Sequence, residues 1–205
     1  MILKIKVIQI LLPLLVILFS GCVGQMDIAK VLNDPQADVN ARNSFGNTVL
    51  MYAMESADIN IIRQLIERGA DINAKNNLGE TALMGSAVRG NYEITKLLLD
   101  NGAKVDVEIY KWRTTAFMIA VFHNHFDIAK LLLEHGSDIN HQSKNGLTEL
   151  MYSSKENKVE SAKFLIKEGA RLDIKNDMGK TALSIAEEEG NEKIIQLLKS
   201  IGAKL

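Results

Sequence analysis

Few residues of this 205-residue chain are of types that could carry out catalysis or hold a metal ion. Four are histidines, His123, His125, His135 and His141, and His123-x-His125 is the pair that comes nearest to a metal-ligand spacing. A zinc site needs further cysteine, histidine or carboxylate ligands, and no cysteine or paired carboxylate completes the set. The sequence also has no Gly-x-Ser-x-Gly nucleophile motif and no glycine-rich phosphate loop. We therefore expect no metal site, no cofactor and no enzymatic activity.

The charges of the chain are balanced. Lys and Arg number 24 and Asp and Glu number 25, which gives a formal net charge of −1. No basic stripe of the kind that binds nucleic acid is present, so we expect no nucleic-acid partner. A run of three glutamates, residues 187–189, could bind a cation, but we interpret it as the solvated face of a terminal helix.

The single cysteine, Cys22, follows a segment of secretory type. Two lysines precede an almost wholly apolar run over residues 7–19, and the small residues Ser20 and Gly21 come directly before Cys22. This ending resembles the bacterial lipobox, in which the chain is cut before a cysteine that then carries lipid. We expect residues 1–21 to be a lipoprotein signal peptide and residues 22–26 a short linker that begins with lipidated Cys22. The alternative is an uncleaved anchor helix that starts at Ile2.

The lipoprotein resemblance also predicts a location. Val23 follows Cys22, where an aspartate would be expected to change sorting, so the resemblance implies an outer membrane, facing the periplasm or the cell surface. The linker spans at most about 17 Å when fully extended, which would hold the folded part close to the membrane.

The rest of the chain repeats itself. A threonine that opens an apolar segment recurs in steps of 33, 34, 33 and 33 residues, and a Gly-Ala or Gly-Ser pair recurs in the same steps. A fixed period of this length is typical of stacked supersecondary units. The threonines are Thr48, Thr81, Thr115, Thr148 and Thr181, and the glycines are Gly69, Gly102, Gly136, Gly169 and Gly202.

Each period predicts two short helices. Leu83, Met84 and Ala87 share one helix face, and Thr81 is placed to cap the first turn of that helix. Gly90 predicts the end of this helix, and Asn124 and Asn157 replace it in later repeats. A second apolar helix follows, closed by a glycine such as Gly102, and a run of turn-forming residues leads to the next period.

The stretch from Asn76 to Ala103 resembles an ankyrin repeat position by position, and the resemblance runs from about residue 27 to the end. It implies an all-α solenoid of helix-turn-helix units joined by β-hairpin-like loops. We place the domain at residues 27–205, with a half-repeat at 27–42 and repeats at 43–75, 76–109, 110–142, 143–175 and 176–205. The family proline after threonine is replaced by Val49, Ala82, Ala116, Glu149 and Ala182. The family histidine is replaced by Met51, Met84, Met118, Met151 and Ser184, and we interpret these methionines as adaptable core residues.

The resemblance implies binding of a protein partner through the hairpin tips and the inner face of the first helices. We expect the chain to act as a monomer. At these positions large apolar side chains recur where a loop should be polar, and such residues are enriched at interfaces. The candidate partner-binding residues are Phe45, Leu78, Tyr110, Trp112, Arg113, Phe122, His123 and Met178. The alternative is that these side chains only cover the neighbouring hairpin.

The third hairpin departs from the others. It is one residue longer, and Arg113 stands where the other hairpins have glycine. It also carries Tyr110 and the only tryptophan, Trp112. Because a local departure from the repeat is expected at functional or strained positions, we expect this hairpin to contribute to binding. The functional hypothesis is a membrane-anchored scaffold at the bacterial envelope, protective or inhibitory toward a toxin, protease or stress enzyme. The alternative hypothesis is a structural envelope protein without a discrete partner.

Overall fold

The computed structural model describes residues 27–204. This part of the chain forms eleven α-helices, and the predicted signal peptide and linker, including Cys22, lie outside it. None of the described helices is long and apolar enough to cross a membrane. The helices are α1 (Ile28–Asn33), α2 (Val49–Ala53), α3 (Ile59–Glu67), α4 (Ala82–Arg89), α5 (Tyr92–Asp100), α6 (Ala116–Phe122), α7 (Phe126–Glu134), α8 (Glu149–Lys155), α9 (Val159–Lys167), α10 (Ala182–Glu189) and α11 (Glu192–Ser200).

Consecutive helices pack as pairs, and the pairs stack. Helix α4 packs on its partner α5 and on the neighbouring first helix α6, while α5 packs on α7. The first helix of every pair starts at the repeated threonine, whose Oγ1 accepts a hydrogen bond from the main chain three residues later, as Thr81 does from Met84. The same cap occurs at the other four threonines, so the predicted capping role is confirmed.

The turn within each helix pair requires a left-handed residue. Gly90 and Gly190 adopt φ values of +70° and +68°, and Asn124 and Asn157 adopt +61° and +55° at the same repeat position. The tolerance predicted for asparagine here is confirmed. In the first full repeat the position is held by Ala57, with φ of +51°. A Cβ atom makes this conformation costly, so Ala57 is strained. The repeat register predicts a left-handed residue at this position, but alanine as a residue type does not.

The core runs continuously through the stack. The methionines that replace the family histidine are all buried, with exposed fractions of 2% for Met51, 1% for Met84, 5% for Met118 and 1% for Met151. Their interpretation as core residues is therefore confirmed. A thioether at this position fills space between adjacent repeats without requiring a hydrogen-bond partner.

One seam of the stack differs from the rest. First helices are in extensive contact in the pairs α4–α6 and α8–α10, whereas α6 and α8 make few contacts with each other. Between the third and fourth repeats, the rings of Phe126 on α7 and Phe164 on α9 stack with centroids 4.8 Å apart, and Ser161 Oγ on α9 donates a 3.1 Å hydrogen bond to Asn124 Oδ1. Ser161 is fully buried at the position where the neighbouring repeats have isoleucine, so the fourth repeat has a more polar core than its neighbours.

Glu149 adds a buried carboxyl group to the fourth repeat. It occupies the first residue of α8, where proline is favoured in the family, and its side chain is buried. Its Oε1 atom has no hydrogen-bond partner among the described residues, and the same is true of Ser153 Oγ and Ser154 Oγ on that helix. Burial raises the pKa of Glu149 to about 8, and the charge of Lys158 opposes this effect only in part. The carboxyl group is therefore neutral near pH 7.

Candidate protein-interaction surface

The hairpins between the helix pairs form a continuous row. The main-chain N–H of each hairpin donates to a carbonyl of the preceding tip: Asn77 to Phe45 over 3.1 Å and Tyr110 to Leu78 over 3.0 Å. The row continues with Lys144 donating to Trp112 over 3.0 Å and Asp177 to Asn145 over 3.4 Å. We define the tip ladder as the five residues at these tips: Phe45, Leu78, Trp112, Asn145 and Met178.

An asparagine and a glycine in a short turn determine the direction of the side chain at the tip. Asn76 Oδ1 accepts hydrogen bonds from the main-chain N–H groups of Leu78 and Glu80, and Gly79 between them adopts φ of +88°. This tight turn leaves the intervening side chain on the outside of the loop. Asn43 and Asn176 form the same turns around Phe45 and Met178.

The tips consequently expose apolar surface. The exposed fraction is 51% for Phe45, 42% for Leu78 and 71% for Met178. Trp112 is half-buried. The alternative that these side chains lie flat over the neighbouring hairpin does not describe Met178, most of whose surface is in contact with solvent.

The third hairpin is longer because its turn spans one more residue. Ile109 donates to the carbonyl of Thr114, five residues later, whereas Asn76 donates to Glu80, four residues later. Arg113 adopts the left-handed conformation, with φ of +55°, in place of the glycine of the other hairpins.

Ion pairing holds this hairpin in place. The Arg113 guanidinium group binds both carboxylate oxygens of Glu108, at 3.0 and 3.2 Å, and this hydrogen bonding holds the pKa of Glu108 below its usual value. His141 Nε2 of the next hairpin lies 2.9 Å from the Arg113 carbonyl oxygen. Arg113 therefore has a structural role in addition to its exposed position.

Tyr110 is the most exposed aromatic residue of the third hairpin, with an exposed fraction of 63%. Its ring lies against Gly79, where an added Cβ atom would be 3.0 Å from Tyr110 Cδ1. Lys75 Nζ lies 5.7 Å from the centre of the ring, and Lys111 Nζ lies 4.9 Å from that of Trp112. Aromatic faces and cations thus occur together at the middle of the tip ladder.

The other predicted residues, Phe122 and His123, belong to a separate group at the end of α6. Their rings meet edge to face with centroids 5.0 Å apart, and the ring of Tyr152 lies 5.8 Å from that of Phe122. Lys158 Nζ lies 3.7 Å from the centre of the Phe122 ring. We define the inner cluster as Phe122, His123, Tyr152 and Lys158.

Burial shifts the pKa values of the ionisable members of the inner cluster. Burial lowers the pKa of His123, and the charges of His125 and Lys158 lower it further. Burial also lowers the pKa of Lys158 and raises that of Tyr152 well above its ordinary value. All four members are half-buried, so this group offers less accessible surface than the tip ladder does.

Sequence reasoning missed Tyr152 and Lys158. A signal was available: Lys158 stands at the position held by Asn91, His125 and Asn191 in other repeats. A lysine at this otherwise short polar position marks an unusual contact.

Three of the four histidines contact main-chain carbonyl groups, including His141 at Arg113 as described above. His125 Nε2 lies 3.3 Å from the Val88 carbonyl oxygen of the preceding repeat, and His135 Nδ1 lies 2.9 Å from that of Leu131. Within residues 27–204, no three histidine, cysteine or acidic side chains are grouped in a way that could hold a metal ion. The rings of His123 and His125 stack with centroids 5.9 Å apart.

Comparison with known families agrees with this architecture. The model of the ankyrin repeats family matches the chain in three overlapping copies, over residues 17–109, 75–143 and 117–205. The chain therefore belongs to the ankyrin-repeat family, and the predicted all-α ankyrin solenoid is confirmed. A comparison with curated proteins finds no match. Ankyrin repeats are interaction modules, so the class of function is protein–protein binding.

Proposed function

We propose that the chain is a monomeric, membrane-anchored ankyrin scaffold that binds a protein partner at the bacterial cell envelope. The observation that carries the proposal is the tip ladder, in which Phe45, Leu78 and Met178 project apolar side chains from hairpins that are hydrogen-bonded to one another. Exposed apolar side chains in a contiguous row are typical of interaction surfaces.

Rigidity of the ladder supports binding. Because the hairpins are joined by main-chain hydrogen bonds and their turns are fixed by side chains such as Asn76, little conformational entropy is lost when a partner binds. Burial of apolar surface then contributes about 25 cal/mol per Å² to the association. A preformed apolar row is therefore suited to capturing a partner.

The anchor is proposed from the sequence. Lipidated Cys22 would hold the array close to an outer membrane, because helix α1 begins only a few residues later, at Ile28. A single lipid chain anchors a protein marginally and two or more anchor it stably, so we propose a multiply acylated cysteine. Partners consistent with this location are a toxin, a protease or a stress enzyme that the scaffold inhibits or restrains.

Chemical crosslinking in intact cells tests the proposal. A scaffold gives one dominant adduct of defined stoichiometry, and the adduct disappears when Leu78 and Met178 are both replaced by serine. We call the second helix of each pair (α3, α5, α7, α9 and α11) an outer helix. The double replacement of the exposed outer-helix residues Lys130 on α7 and Lys163 on α9 by serine serves as the matched control and should preserve the adduct. A smear of envelope components that is insensitive to the tip variant would instead favour a structural envelope protein.

A further inference from the structure

We propose that the partner of the tip ladder presents carboxylate side chains alternating with large apolar ones along an extended segment. This inference rests on the proposed binding function and specifies the chemistry of the partner. It follows from the distribution of charge around the tips, which differs from that of the rest of the chain.

The hairpins concentrate basic residues. Within the five hairpin segments 42–47, 75–80, 108–114, 142–147 and 175–180, seven residues are Lys or Arg and three are acidic, although acidic residues slightly outnumber basic ones in the whole chain. Every hairpin contributes at least one basic side chain. These are Arg42, Lys75, Lys111, Arg113, Lys144, Lys175 and Lys180.

The acidic residues of the hairpins offer little compensation. Glu80 is buried, and this burial raises its pKa, with a hydrogen bond from Asn76 acting in the opposite direction. Glu108 is engaged by Arg113. Only Asp177 remains exposed without an ion pair within the hairpin segments of the described chain.

Most of the basic side chains are available. Lys75, Lys111, Lys144 and Lys175 are exposed and form no ion pair with any described residue. Some lysines outside the hairpins are paired: Lys96 lies 2.7 Å from Asp100 and Lys163 lies 2.8 Å from Glu160. Three of these four unpaired cations, Lys75, Lys111 and Lys175, share a hairpin with an exposed apolar or aromatic side chain.

The geometry of the ladder sets the spacing of the partner's charges. Packed helices stand about 8–10 Å apart, so successive hairpins should repeat at roughly that distance. A polyproline II segment rises about 3.1 Å per residue with three residues per turn, so one repeat corresponds to roughly three partner residues and every third side chain faces the same side. An extended segment with a carboxylate at every third position would place one beside each cation, with apolar side chains between them at the tips.

An anionic membrane surface also attracts lysines and aromatic residues. Membrane-binding segments gather four to eight basic residues into one cluster. Here the unpaired lysines are instead distributed along the ladder, one for each of the second to fifth hairpins, as recognition of an elongated partner requires. The observations therefore favour an acidic protein segment.

The test uses the purified full chain in detergent and an array of synthetic peptides of about 15 residues, enough to span the five hairpins. Every third position is Glu, Gln or Lys, and the other positions vary among Leu, Phe, Ile and Tyr. We expect the best Glu peptides to bind on the order of tenfold more tightly than matched Gln peptides, since several exposed ion pairs of modest strength add together. High salt should remove most of this difference because exposed charges are screened.

Charge reversal provides the decisive variant. Replacement of Lys75, Lys144 and Lys175 by Glu should transfer the preference to the Lys peptides, whereas the same replacement of Lys96, Lys130 and Lys163 on the outer helices should leave it unchanged. All three peptide classes could instead bind equally well, with binding lost in the Leu78→Ser/Met178→Ser variant. This result would support binding at the tip ladder but overturn the proposal of an acidic partner. Binding of phosphatidylglycerol vesicles without any Glu-peptide preference would identify the membrane as the occupant and overturn the proposal. Absence of binding to every peptide would overturn the acidic-partner proposal, whereas the binding function is tested separately by crosslinking in intact cells.

Discussion

The ammonium group of Lys158 donates a 2.7 Å hydrogen bond to the main-chain carbonyl of Phe122 in the preceding repeat. Other repeats make the equivalent contact with different side chains: Asn191 Nδ2 donates to the carbonyls of Ser154 and Lys155, and His125 Nε2 faces that of Val88. The contact satisfies carbonyl groups at the end of a helix, which otherwise lack partners. In Lys158 it also places a positive charge at a helix C-terminus, where the helix dipole favours it.

Lys158 bridges the third and fourth repeats, and the stability of the protein should depend on pH through the neighbouring Glu149. The unfolded chain releases the Glu149 proton near the ordinary pKa of 4.5, while the folded chain holds it until about pH 8. Stability should therefore fall as pH rises through this window, by at most on the order of 5 kcal/mol from this group. His123, whose pKa is lowered, contributes an opposite slope only below about pH 6.5.

Glu149→Gln tests this prediction. Urea unfolding between pH 6.5 and 8 should show a stability that falls with pH in the unsubstituted chain and a much flatter profile in the variant. Glu156→Gln, an exposed change at the end of the same helix, serves as control and should retain the slope. Identical slopes for the chain and Glu149→Gln would show that the carboxyl group is not buried.

The left-handed Ala57 predicts a stabilising substitution. Ala57→Gly should raise the free energy of unfolding by about 1 kcal/mol, because glycine adopts this conformation without the Cβ strain that alanine carries. Gly190 holds the same repeat position, and an added Cβ atom there meets nothing within 4 Å, so Gly190→Ala should cost a similar amount through strain alone. Thermal unfolding of both variants measures the effect. A destabilised Ala57→Gly variant would contradict the assigned conformation.

The turn positions within the helix pairs show how much of the fold could be predicted from the sequence. The threonine caps, the helix pairs and the asparagine turns at Asn124 and Asn157 follow from local chemistry, and all were predictable. The strain at Ala57 is visible only through the repeat register, since alanine itself gives no sign of a left-handed turn.

The buried state of Glu149 was not predictable from the sequence. Its position was recognised as a departure from the family proline, but its pKa depends on how the third and fourth repeats pack. The contacts that Tyr152 and Lys158 make with Phe122 depend on the same packing between the third and fourth repeats. Phe45, Leu78 and Met178 are exposed at the tips, as expected for short turns that force side chains outward, whereas Trp112, expected to be exposed with them, is half-buried. Their role in binding remains a prediction.

The third hairpin offers a test that separates packing from binding. Because Trp112 is half-buried, Trp112→Ala should cost about 1–2 kcal/mol of stability, less than the 3–5 kcal/mol of a fully buried aromatic residue. Its fluorescence maximum should lie between those of buried and exposed indoles. Tyr110→Ala should cost less than about 1 kcal/mol, since its ring is largely exposed.

Affinity gives the complementary measurement at these positions. If Tyr110 and Trp112 contact a partner, each substitution should weaken binding by on the order of 2 kcal/mol. A loss of 3–5 kcal/mol in stability for Trp112→Ala, with a strongly blue-shifted emission, would assign Trp112 to packing and remove it from the binding surface.

The membrane anchor depends on Cys22. Cys22→Ser should abolish metabolic labelling with a fatty acid, leave a slower-migrating uncut precursor, and change the distribution of the protein between membrane and soluble fractions. Val23→Ser, a change next to the cysteine that leaves the thiol in place, is the matched control and should still be labelled and cut. A Cys22→Ser protein that matures to the same size and remains in the membrane would contradict lipidation.

The central claim is that the tip ladder is the face that meets a partner, and site-specific photocrosslinking in cells tests it most directly. A photoreactive amino acid is placed at Leu78 or Met178 in the ladder, and at Lys130 or Lys163 on the outer helices as matched exposed controls. The account predicts that both ladder positions yield the same single adduct and that the outer-helix positions yield none. An adduct formed from the outer helices and absent from both ladder positions would contradict it.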